Sequence, residues 1–175
     1  MNSTSVRIRP VGNEPQLAAP LAELLIDCVA GGASVSFMAP LGVAKAQAFW
    51  RSAIESATRG ERVLLVAEAS DGTICGSVQL LLSLPENQPH RAEVAKMLVH
   101  RRARRVGIGA ALLRAAEDAA RAAQRSLLVL DTVTAGDAER LYTRLGWQRV
   151  GVIPGYALWP EGGLCDTTFF YKSLG

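Results

Sequence analysis

Val99–Ala111 reads VHRRARRVGIGAA: the end of an apolar strand, a loop carrying Arg101, Arg102, Arg104 and Arg105, and a helix that opens on glycines. A helix N-terminus bears partial positive charge, so arginines crowded beside one are disfavoured unless an anion shares the site. First-turn N–H groups lack intrahelical partners, and Gly107 and Gly109 let a ligand approach the backbone, so the segment reads as a phosphate cradle. A solvated basic loop is the plainer alternative; the strand before and the helix after favour the anion site. It is not a dinucleotide fingerprint. Leu112 stands where G-x-G-x-x-G needs its third glycine, and the loop from Val99 is too long for a tight βα turn.

Downstream, Gly107–Gln124 is the clearest helix. Leu112, Leu113, Ala116, Ala120 and Ala123 share one face, and Arg114, Glu117, Asp118 and Arg121 the other. Ser126–Asp131 (SLLVLD) is a continuous apolar run, as in a strand covered on both faces. Thr134 and Asp137 read as a capping box for a helix ending at Leu145, with Gly146 beyond it. Trp147–Ile153 and Cys165–Ser173 read as the last strands, flanking a loop over Pro154–Gly163.

Upstream, Arg91–Val99 reads as the strand entering the basic loop, behind a break at Pro85–Pro89. Arg62–Ala69 and Thr73–Leu84 are β-rich and separated by Asp71-Gly72, a hairpin signal. Helical spacing covers Pro15–Ala30 and Val43–Arg59, the latter stopped by Gly60. Gly31–Pro40 joins them as a loop, and Val6–Arg9 alternates like a half-buried strand. The order βααβββαβαββ is an α+β sheet packed by helices.

With 175 residues, 49% of them apolar, and a net charge of +3, the chain is cored rather than disordered. No apolar run approaches the roughly 18 residues of a membrane span, and MNSTSVRIRP has no leader pattern, so an unexported cytoplasmic protein is expected. Cys28, Cys75 and Cys165 are odd in number and far apart, which predicts free thiols. GxSxG, GxxxxGK[ST] and HExxH are absent, which demotes serine hydrolases, P-loop enzymes and zinc proteases. A nucleic-acid module built on RRARR is disfavoured by the single short cluster and the scarcity of aromatics.

Arg104–Gly109 resembles the Q/R-x-x-G-x-G/A element of the GNAT superfamily of N-acetyltransferases, and Ala138–Trp147 (AERLYTRLGW) resembles its A-x-x-L-Y-x-x-L-G-F segment. The GGASVSFM, HRAEVAKMLV, LDT and GY segments are similar to those of the tabtoxin-resistance branch, which acetylates a small molecule. The resemblance implies one GNAT-like domain over residues 1–175. Its fold would be a mixed, mostly antiparallel sheet of about seven strands, splayed centrally and packed by about four helices. It further implies acetyl-CoA as co-substrate and no metal. The pyrophosphate would sit on the N–H groups of Arg105, Val106, Gly107, Ile108, Gly109 and Ala110, with Arg104 at the motif's first position. The pantetheine arm would lie along Met97, Leu98 and Val99. Two positions depart from the family: Arg105 replaces a common glycine, and Ala135 a common asparagine.

The implied reaction is direct attack by an amine on the thioester within a ternary complex. An ammonium must first lose a proton, and the departing thiolate must gain one. Glu93 and Asp131 are the carboxylates on strands that flank the acyl group in that fold; an Arg91 ion pair and a turn role are their plainer readings. Tyr142 matches the family tyrosine near the sulfur, while Trp147 reads as packing. Ser34, Ser36 and Tyr156 are candidate acceptor contacts. The expected partner is a small amine, amino-acid-like or toxin-like, with protein N-termini or lysines as the alternative. No nucleic acid or membrane partner is expected, and the chain would act as a monomer or homodimer.

Overall fold

The computed structural model describes residues 6–175. In chain order the elements are β1 (Val6–Pro10), a 3₁₀ turn (Pro15–Leu17), α1 (Ala18–Ala30), α2 (Val43–Thr58), β2 (Arg62–Ala69), β3 (Ile74–Leu81) and β4 (Arg91–Val99). A second 3₁₀ turn (Arg101–Ala103), α3 (Ile108–Ala122), β5 (Leu127–Val133), α4 (Asp137–Arg144), β6 (Gln148–Leu158) and β7 (Leu164–Ser173) follow. The seven strands form one sheet in the order β1-β2-β3-β4-β5-β7-β6, antiparallel except where β4 meets β5. The expected α+β architecture is therefore present.

Helices cover both faces. On one, α1 and α2 bury Leu21, Leu24, Leu25, Trp50 and Ile54 against Leu64, Val66 and Leu98. On the other, α3 and α4 cover Leu65, Ala67, Leu128, Leu130 and Phe170. Leu112 and Leu113 of α3 are fully buried, each contributing about 1.5–3 kcal/mol of apolar burial. The α3 stripe matches its sequence pattern except at Glu117. That residue turns inward, where Lys172 Nζ of β7 meets its carboxylate at 2.8 Å and donates to the Leu145 carbonyl at the end of α4.

Several boundaries differ from the sequence reading. The first helix opens as a 3₁₀ turn, with α1 itself starting at Ala18. β5 runs on past Asp131, because β7 pairs it through Val133. β6 continues through the supposed loop at Pro154 to Leu158, absorbing Pro154 and Gly155 in an irregularity between Ile153 and Ala157. The expected capping box is replaced. Gly136 is the N-cap of α4, Thr134 Oγ1 bonds Thr168 Oγ1 at 2.9 Å, and Glu139 reaches back to accept from the Ala135 N–H. The three cysteines are buried free thiols.

The parallel pairing of β4 with β5 is short: Arg91, Ala92 and Glu93 face Leu127, Leu128 and Val129. Past that point β4 stays with β3 as far as Val99, and β5 stays with β7 as far as Val133. The sheet therefore splits from Val94 and Leu130 onward. Asp131 lies just past the point where the pairing ends, and Glu93 at its last pair.

Candidate active site

The loop leading into α3 has the backbone geometry of a candidate anion cradle. Arg105 and Gly107 both hold left-handed backbone, at φ 65° and 88°, and this curls the chain ahead of Ile108. The N–H groups of Arg105 through Ala110 have no backbone or side-chain acceptor among the described residues; the first helical bond comes from Ala111 to the Gly107 carbonyl. Arg104, Arg105, Val106 and Gly107 are exposed, so this stretch of the loop is open to solvent. A run of unpaired N–H groups at a helix start fits a pyrophosphate.

The two glycines do different jobs. Gly107 supplies the left-handed N-cap in open space. At Gly109 a Cβ would come within 3.0 Å of the Leu141 side chain, so its lack of one seats α3 against α4.

The arginines also divide. Arg101 is spent on Asp27 of α1, with Nε on the carboxylate at 2.9 Å. Arg104 Nε donates to the Val99 carbonyl at 3.2 Å, which also takes the Cys28 thiol at 3.6 Å. Arg102 and Arg105 make no side-chain ion pair among the described residues, which leaves two exposed cations beside the cradle.

Sheet register sorts the acid–base candidates. Glu93 stands opposite Val129, and Asp131 lies two residues further along β5, so both carboxylates point to the α1/α2 face. Glu93 accepts from Arg91 at 2.8 Å, the ion pair the sequence left open for it. Asp131 is exposed. Burial of its surroundings nevertheless pushes its pKa above the ordinary carboxylate value, and the Glu93 charge adds to this while Lys96 opposes it. Tyr142 lies on the other face, 5% exposed, packed among Trp147 and Phe170 at centroid distances of 5.8 Å. Burial, and secondarily the Asp131 charge, drive its phenol pKa far up, so it stays protonated at neutral pH. Phenol and carboxylates occupy opposite faces and can act on one molecule only through the split. Trp147 is 4% exposed and packs the core, as expected.

The proposed acceptor residues separate too. Ser34 is consumed in structure: its hydroxyl donates to the Leu158 carbonyl at 2.9 Å, and Cys165 Sγ lies 3.7 Å away. Together with Ala39 N–H on the Pro160 carbonyl at 2.8 Å, this ties the α1–α2 loop to the β6–β7 hairpin. Ser36 accepts from Lys96 Nζ at 3.1 Å. Tyr156, half exposed, stacks edge-on against Phe169, which is the β7 partner of Asp131.

Lys96 is the residue sequence reasoning missed. It is the only charge in the strand segment VAKMLV, and that isolation was the available signal. It occupies a β4 bulge with φ 48°, its carbonyl held by the buried Ser77 hydroxyl at 3.1 Å. Desolvation lowers its pKa, against the pull of Asp131. Among the described residues no cluster of His, Cys, Asp and Glu could hold a metal ion, and no helix is long and apolar enough to cross a membrane.

The sequence model of the acetyltransferase (GNAT) family matches residues 33–147. Solved structures share the fold. An acetyltransferase from Salmonella typhimurium, solved with acetyl-CoA, is 20% identical with a TM-score of 0.79, over 97% of this chain and 94% of that one. A ribosomal-protein-alanine N-acetyltransferase from Brucella melitensis is 21% identical with a TM-score of 0.81, over 95% and 99%. A phosphinothricin acetyltransferase from Sinorhizobium meliloti, in complex with acetyl-CoA, is 19% identical with a TM-score of 0.79, over 97% and 89%. These acceptors, by name, range from a small molecule to a ribosomal protein. At such identities the likeness speaks for the fold.

Proposed function

The chain belongs to the acetyltransferase (GNAT) family and is an acetyl-CoA-dependent N-acetyltransferase, and we propose that its acceptor is the amine of a small, amino-acid-like or toxin-like molecule. The observation that carries this reading is the pair of carboxylates, Glu93 and Asp131, on one face of the split sheet. Their combined charge suits an ammonium. The α1–α2 loop, bonded to the β6–β7 hairpin through Ser34 and Ala39, walls that face and favours a compact acceptor over a protein chain.

Acetyl-CoA, when bound, supplies an acetyl group activated as a thioester. Its pyrophosphate would rest on the free N–H groups of Arg105 to Ala110, with Arg104 and Arg105 adding charge, and its pantetheine arm along Met97, Leu98 and Val99. Asp131, with Glu93 beside it, takes the proton from the acceptor ammonium, directly or through water. A carboxylate whose pKa is raised is a better base than an ordinary aspartate. Tyr142 Oη holds its proton at neutral pH and is the group to return one to the departing sulfur. We read its role as resistance to such a molecule, exercised in the cytoplasm, as an extension of the small-amine acceptor proposed above. The fold likeness to a ribosomal-protein-alanine N-acetyltransferase keeps protein N-termini as the second reading. Thiol release from acetyl-CoA against a panel of primary amines and of short peptides separates the two. Turnover of small amines supports the first reading, and turnover of peptides alone replaces it.

A further inference from the structure

Lys96 and Ser36 meet across the acceptor side of the split, and both hold backbone that glycine would adopt more easily. Lys96 sits in the β4 bulge at φ 48°, and Ser36, in the α1–α2 loop, at φ 77°. Bulges of this hand ordinarily recruit glycine, which would bring no side chain into the cleft. Here the side chain is kept, and it is a cation. Its Nζ donates to Ser36 Oγ at 3.1 Å and lies 5.6 Å from the centroid of the Phe49 ring. Neither partner carries negative charge, and among the described residues no carboxylate lies within ion-pair distance of Nζ. Lys172, the other lysine fixed at the edge of a core, has Glu117 at 2.8 Å. Lys96 is therefore a half-buried ammonium with unfilled donor capacity, beside the carboxylates that face the acceptor amine.

Resting on the acetyltransferase reading above, we propose that Lys96 and Ser36 form an anion subsite within the acceptor cleft. The substrate is then an amine that also carries a carboxylate, an amino acid. The division of charge is direct. Asp131 and Glu93 take the ammonium end, and Lys96 takes the carboxylate. Because Ser36 Oγ accepts from Lys96, its own hydroxyl proton is free to donate to the same carboxylate. The Phe49 ring, facing the lysine, strengthens its positioning.

The test compares the proteinogenic L-amino acids with their carboxamides, by thiol release from acetyl-CoA, in the native protein and in Lys96→Met. The native protein should prefer the acid over its carboxamide by about tenfold or more in kcat/KM, and Lys96→Met should close that gap to within about threefold. Lys96→Arg should recover part of the preference. If Lys96→Met does not fold, as judged by circular dichroism, Ser36→Ala should narrow the gap by a few fold in its place. Equal turnover of acids and carboxamides by the native protein, or a gap unchanged in these variants, overturns the subsite while leaving the acetyltransferase reading intact. Turnover confined to amines without a carboxylate overturns it as well. If acetyl-CoA binds yet no amine or peptide is acetylated, the small-amine reading fails and the subsite falls with it.

Discussion

Asp27, in the last turns of α1, grips Arg101 twice: the carboxylate accepts the Arg101 backbone N–H at 2.9 Å and its guanidinium Nε at 2.9 Å. His100 Nδ1 lies 3.5 Å from the same carboxylate. The helix thereby fixes the 3₁₀ turn that starts the loop proposed to hold the cofactor. Burial alone would raise the Asp27 pKa, but the Arg101 bonds and the neighbouring His100 and Arg101 charges outweigh it, and the net direction is down from 3.8. Stability from this contact is accordingly present above about pH 4 and lost as pH falls through the depressed value. Asp27→Ala should weaken acetyl-CoA binding about 3- to 30-fold by calorimetry, with kcat at saturation less affected, and its acid unfolding should lose that part of the pH dependence. Unchanged affinity would mean the loop holds its shape without the clamp.

Arg105 offers a way to separate stability from binding. It is exposed and left-handed at φ 65°, so Arg105→Gly relieves backbone strain and should leave the unfolding free energy unchanged or raised by up to about 1 kcal/mol. Acetyl-CoA affinity should nevertheless fall a few fold, and its salt dependence should flatten. Affinity equal to the native protein's would assign Arg105 to solvent.

Tyr142→Phe removes a hydroxyl from a tightly packed ring and keeps its contacts with Trp147 and Phe170. Turnover should drop by a factor on the order of 10 to 1,000, while acetyl-CoA affinity stays nearly constant. Native turnover in this variant would make Tyr142 a core residue only.

Asp131 should set the acid limb of kcat/KM for the acceptor. Because its pKa is raised, that limb should lie at higher pH than an ordinary aspartate would give. Lys96→Met removes the charge that opposes the rise, so the limb should move further up. The sign for folding is the reverse of a salt-bridged acid's. Ionising Asp131 costs the native state, so stability falls as pH rises from 3.8 to the raised value, and Asp131→Asn should abolish that loss. Parallel pH titrations of activity and of urea unfolding check both statements.

The fold was legible because its signals are local. The α3 stripe of Leu112, Leu113, Ala116 and Ala120, the Asp71-Gly72 turn and the apolar LLVL run each specify an element alone. What the sequence hid depends on contacts between distant segments. Glu117 looked like a surface charge because Lys172, its partner, lies 55 residues away. Ser34 looked free until Leu158 came beside it. The α4 cap fell to Gly136 because Thr134 is claimed by Thr168 on β7. Lys96 was concealed by its bulge. In a regular strand it would take its face by simple alternation, and the left-handed φ turns it to Ser36 and Phe49 instead.

A double-mutant cycle on the two carboxylates, Glu93→Gln and Asp131→Asn, bears on the proposed chemistry most closely. The readout is kcat/KM for the best amine found in the acceptor panel, with acetyl-CoA affinity as the control. Groups that share one ammonium act as a unit, so each single change should cut kcat/KM while the cofactor still binds. The double variant should then lose far less than the product of the two single losses. If either single variant keeps native acceptor kinetics, or the two losses simply multiply, Glu93 and Asp131 do not serve a common proton.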